Sequence, residues 1–146
     1  MCMQHHRDCC CGRRSAHLSF RDNILTPEVL VNLYCPECRS GVDWEPDTMV
    51  EDCGWVLEFD MAAAQLFFQK RGIRRQVTPE FLFDEGYLSW QGLSPVDLEV
   101  NAELHRRLEP LARENMGQYL KALKEEWLAH VAQLKAAGWR KAQKAL

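Results

Sequence analysis

The sequence predicts an α+β protein, with short antiparallel strands in a cysteine-rich N-terminal segment followed by helices and closed by a long helical stretch. Three observations predict it. All seven cysteines fall between Cys2 and Cys53, the same region holds β-branched and aromatic runs, and the last third repeats apolar residues at steps of three and four. With 47% hydrophobic residues, 27% charged residues and five tryptophans in 146 positions, the composition is that of a chain that buries a core. Three parts are expected: a cysteine-rich module over 1–60, short helices packing on it over 61–93, and a C-terminal helical segment over 94–146.

Taken in order, the strand-like stretches are Ala16 to Phe20, Val29 to Tyr34 and Gly54 to Phe59, expected to be short and paired. Next, Met61 to Lys70 favours a helix capped by Asp60 and stopped by Lys70, Arg71 and Gly72. Thr78-Pro79-Glu80 repeats the start signal for a short helix through about Asp84, ending near Gly86. Phe67, Phe68, Phe81, Phe83, Tyr87 and Trp90 are the expected aromatic core. Ser94-Pro95 reads as a cap and first-turn pair for the final helix, and Pro110, which lacks an amide hydrogen and collides with the preceding turn, predicts a break or kink near itself. Beyond it Met116, Leu120, Leu123, Trp127, Val131 and Leu134 form one apolar stripe.

Cys35-Pro36-Glu37-Cys38 is the sharpest local signal. A C-x-x-C turn lets two sulfurs face one tetrahedral metal, and proline after the first cysteine pre-sets the turn. The other half of such a site lies among His5, His6, Cys9, Cys10 and Cys11, with Gly12 permitting the positive backbone angle of a knuckle. Cys9 with Cys11 is the first choice; Cys10 can replace either, and His6-x-x-Cys9 is a mixed alternative. The interval from Cys11 to Cys35 suits a strand pair and a turn between two knuckles. Cys53 reads as a small core residue or a replacement ligand, Cys2 as a terminal thiol, and His17, His105 and His130 have no ligand spacing.

On Cys35-Pro-Glu-Cys38, Cys11-Gly12 and the strand-like stretches around them, residues 5 to 60 resemble a zinc ribbon, the family with two cysteine knuckles mounted on short antiparallel strands. The resemblance implies a zinc-stabilised fold element and no particular activity, since zinc ribbons serve as docking, nucleic-acid-binding and purely stabilising modules. The expected ligands are Cys9, Cys11, Cys35 and Cys38, with zinc as the metal and iron as the alternative.

Charge is strongly segregated beneath a net of −3. Residues 28–60 hold nine acids against one base, 61–75 hold only Lys70, Arg71, Arg74 and Arg75, and beyond Glu126 only basic charges remain. Arg13, Arg14 and the 70–75 cluster permit nucleic-acid binding, but overall acidity ranks it below protein binding. An odd cysteine count fits free thiols in a reducing compartment better than a disulfide scaffold. No apolar run approaches the roughly 18 residues of a membrane span, and the first residues lack the apolar centre of a signal peptide, so a soluble cytoplasmic protein is expected. No phosphate loop, nucleophile elbow or H-E-x-x-H is present, and chemistry, if there is any, would rest on an open metal position or a reactive thiol. The expectation is therefore a zinc-binding adaptor that docks on a protein partner, or on a second copy, through its C-terminal helix or acidic face; a redox protein built on iron or on the Cys9–Cys11 thiols is the alternative.

Overall fold

A computed structural model describes residues 3–144, so Cys2 lies outside the described residues. The fold is α+β, as its sequence predicts, and the chain divides into two compact units, Met1–Gln91 and Gly92–Leu146.

The first unit is built from two antiparallel sheets. Strand β1 (Met3–Asp8) pairs in register with β2 (Ser15–Phe20), whose other edge takes the short β6 (Ser89–Trp90). Strand β3 (Leu30–Tyr34) pairs with β5 (Trp55–Phe59), which also pairs with β4 (Met49–Asp52). The expected strands at 16–20, 29–34 and 54–59 all form, but β2 and β3, which lie in the interval between Cys11 and Cys35, belong to different sheets instead of pairing with each other. Alternation explains β2: Ala16, Leu18 and Phe20 are fully buried while Ser15, His17 and Ser19 stay half-exposed.

Helix α1 (Pro36–Arg39) is a single turn after β3. Helix α2 (Met61–Lys70) is capped by the Asp60 side chain, which accepts from the Ala63 amide at 3.1 Å, and α3 (Pro79–Asp84) by Thr78, which accepts from Phe81 at 3.1 Å. Each such cap contributes about 1 kcal/mol by satisfying an otherwise unpaired amide. Of the expected aromatics, Phe68, Phe83 and Trp90 are fully buried, Tyr87 is buried, and Phe67 and Phe81 are half-exposed; Phe20 and Phe59 complete the core. The Trp90 ring meets Trp55 and Phe83 edge-on, and its indole N–H donates to the buried Asp52 carboxylate at 2.8 Å.

The second unit is an antiparallel helical hairpin, α4 (Asp97–Glu114) and α5 (Met116–Ala137), followed by the short α6 (Arg140–Lys144). The interruption falls near Pro110 but not at it. Pro110 lies within α4, on an exposed face where water can satisfy the Arg106 carbonyl that loses its amide partner, and the chain turns at Asn115. Asn115 adopts an extended backbone, and its side chain accepts from Gln118 at 3.1 Å to start α5. Ser94 is not the cap of α4 as expected: α4 follows Val96, and the Ser94 hydroxyl is hydrogen-bonded to the buried Asp97 carboxylate. That carboxylate also accepts from the Leu93 amide at 2.7 Å and meets His130 Nε2 at 3.0 Å, tying the start of α4 to α5. Gly92 makes room for it, because a Cβ there would lie 2.5 Å from the Asp97 Cβ.

Candidate metal centre

Two turns bring the cysteines together. The β1–β2 loop is closed by the Cys9 amide donating to the Arg14 carbonyl at 2.8 Å and by the Gly12 amide donating to Cys9 at 2.8 Å. Gly12 takes a φ of 72°, the left-handed conformation that glycine adopts without a steric penalty. The Cys10 amide then donates to the Leu33 carbonyl at 3.2 Å, fastening this loop to the end of β3. One residue past β3, Cys35 stands just before α1, and the Arg39 amide closes the helical turn on the Cys35 carbonyl at 2.9 Å.

The result is a cluster in which the sulfurs of Cys9, Cys11, Cys35 and Cys38 all lie within 4.8 Å of one another. Cys9 and Cys38 are 3.5 Å apart, Cys9 and Cys11 3.6 Å, and Cys11 and Cys35 3.8 Å. A tetrahedral centre with metal–sulfur bonds of about 2.3 Å has sulfur–sulfur edges of about 3.8 Å, so these separations fit one metal ion held by four thiolates. Cys9 and Cys35 are buried, Cys38 is partly exposed and Cys11 is exposed.

The backbone favours thiolate at the centre. Burial pushes the Cys9 thiol up, but amide hydrogen bonds from Cys11 and Cys35, with the Cys35 and Cys38 thiols adding to them, bring it down to about 6. The Cys35 amide reaches the Cys9 sulfur at 3.1 Å, so the second turn supports a ligand of the first. Cys38 is pushed the opposite way because its thiol is hydrogen-bonded to Cys9 and, less strongly, to Cys10 and Cys11. Glu37, within the second turn, meets Arg14 at 3.4 Å and Arg13 at 3.6 Å; both pairs are exposed and contribute at most about 1 kcal/mol each.

The other residues weighed for the site are not among the four clustered ligands. His6 is on β1 opposite His17, with their rings 4.9 Å apart, and is not among the clustered ligand atoms. Cys53 is neither core nor ligand: it is exposed, at a φ of 47°, in the Cys53-Gly54 turn that joins β4 to β5. Cys10 is exposed with its sulfur 3.9 Å from that of Cys9, beside the four and not among them. Gly54 supports the site although its spacing gave no sign of this. Its φ is 90°, and a Cβ there would stand 3.1 Å from the Pro36 Cβ, so the β4–β5 turn packs directly behind the Cys35–Cys38 turn.

The helical unit has a groove of about 560 Å³ whose lining includes Val100, Leu104, Trp127 and His130, with Glu103 and Arg107 among its charged groups. Its apolar stripe is uneven: Leu134 is buried, whereas Met116 and Leu120 are 56% and 58% exposed. Among the described residues no helix is long and apolar enough to cross a membrane. No family model matches the chain, and no curated protein or solved structure matches it.

Proposed function

We propose that this chain is a small zinc-binding adaptor in which Cys9, Cys11, Cys35 and Cys38 hold one structural zinc ion and the helical unit docks on another protein. The observation that supports it most is the gathering of four sulfurs within 4.8 Å of one another, three of their separations, 3.5 to 3.8 Å, being close to the edge of a tetrahedral tetrathiolate site. Four protein ligands leave no open position for water, which is the arrangement of a stabilising site and not of a hydrolytic one. The metal would join the β1–β2 loop to the β3–α1 turn, and free thiolates of this kind fit the reducing cytoplasm.

Docking is assigned to the loop end of the α4–α5 hairpin, where Met116 and Leu120 present apolar surface to solvent. The occupant would be a protein partner or a second copy of the chain. Replacing Cys35 or Cys38 with serine tests the metal reading: zinc content should fall to a negligible level and the first unit should lose stability. Full zinc retention at unchanged Tm would refute it. Iron in the same four thiolates, visible as charge-transfer absorption, would turn the reading toward electron transfer.

A further inference from the structure

We propose that the turn after α2 forms a binding site for the phosphate group of a small phosphorylated molecule, separate from the cysteine cluster and independent of the adaptor reading. Helix α2 ends in a reversal: the Gly72 amide donates to Gln69 at 3.0 Å, the Ile73 amide donates back to Phe68 at 3.0 Å, and Gly72 takes a φ of 71°. The chain doubles back, so Arg74 and Arg75 come beside the part of α2 that carries Gln65 and Gln69. Together with Gly72 and Ile73 they line a hollow of about 520 Å³, within the size range of small-molecule sites.

The chemistry of the lining is one-sided. It holds two guanidinium groups and two side-chain amides and no carboxylate. Lys70 and Arg71 stand just outside, with no acid anywhere from 61 to 75, in a unit whose 28–60 stretch is strongly acidic. Among the described residues Arg74 and Arg75 enter no ion pair, unlike Arg14, Arg39, Arg106, Arg107 and Arg113. Arg75 is partly ordered in advance, its guanidinium lying 5.0 Å from the centroid of the Phe81 ring, which leaves the N–H edge available. The reversal also occupies the Phe68 and Gln69 carbonyls internally, which blunts the negative end of the helix dipole where an anion would sit. Two planar forks with amide donors beside them match phosphate oxygens better than they match a single carboxylate.

The test is an NMR titration of the full chain with pyrophosphate in low-salt buffer, following arginine and glutamine side-chain N–H signals. The expected result is saturable movement of Arg74, Arg75, Gln65 and Gln69, with affinity lowered on the order of tenfold by Arg74→Ala and likewise by Arg75→Lys, which keeps the charge but loses the fork. Both positions are exposed, so an unchanged Tm should accompany the loss. Absence of saturation, or equal movement at Arg13, Arg14 and Arg113, would overturn the proposal. A short single-stranded oligonucleotide is the second arm: weaker binding per phosphate than pyrophosphate supports a small ligand, while tighter, steeply salt-dependent binding through the same arginines would overturn it in favour of a nucleic-acid backbone.

Discussion

The two units bury their apolar residues to very different extents. In the sheet-containing unit Phe20, Phe59, Phe68, Phe83 and Trp90 are fully buried, and even the polar Asp52 is enclosed by its bond to Trp90. In the helical unit Pro95, Leu104, Leu134 and Ala142 are the buried apolar residues among those described, while Val96, Leu98, Met116, Leu120 and Leu128 are exposed. A paired helix hairpin has too little interior for every apolar position on its stripe, whereas two sheets, helices and a four-cysteine cluster enclose most of theirs, leaving Val31, Trp44 and Leu66 exposed. The difference separates stabilising surface from surface left for association.

The comparison breaks most visibly if the cysteine cluster is disabled. Cys35→Ser, or removal of the metal by a strong chelator, is expected to destabilise the first unit by several kcal/mol, roughly a 15 °C fall in Tm, because metal binding there is part of the folding free energy. Hydrogen exchange should show lost protection in β1, β2 and β3 with protection of α5 retained. Leu57→Ala, at a fully buried position on β5, should cost about 2–5 kcal/mol while leaving metal content unchanged, as elemental analysis of the refolded variant would show.

Smaller effects sharpen the helical side. Asp97→Ala leaves the Leu93 amide and Ser94 hydroxyl without their acceptor and should cost about 1–3 kcal/mol in chemical denaturation, again with normal metal content. Met116→Lys and Leu120→Lys should change stability by no more than about 0.5 kcal/mol each, yet abolish partner capture or self-association measured by light scattering. A loss above about 2 kcal/mol for either would mean that these side chains belong to the interior and not to a docking face.

Much of the architecture is legible in the sequence because its signals are local. Asp60 and Thr78 are read as caps and act as caps, since the relevant hydrogen bond spans three residues. Strand β2 shows its alternation openly. Strand β1, Met-Gln-His-His-Arg-Asp, has no apolar alternation and is a strand because β2 supplies a partner along its whole length. Strand β4 depends on a turn in which Cys53 and Gly54 both take positive φ, the geometry of a tight hairpin, and a cysteine there is an unusual signal for it. The break expected near Pro110 comes at Asn115 for a related reason: proline is a local obstacle, but an exposed helix can absorb it, and the Asn115 cap fixes the turn.

For the cysteines, the C-x-x-C spacing points directly to Cys35 and Cys38. The proximity of Cys9 and Cys11 to them depends on the Cys10 amide reaching Leu33, a contact between chain segments that no spacing rule encodes. The same limit hid Gly54 behind Pro36 and the pairing of Asp97 with His130, each of which joins residues distant in sequence.

Elemental analysis of the protein purified without added metal, with an absorption spectrum from the same sample, tests the central claim most directly. The expected result is one zinc ion per chain, no visible absorption, and four thiols that become reactive only after chelation. A metal-free protein with the same Tm and all its thiols immediately reactive would contradict it.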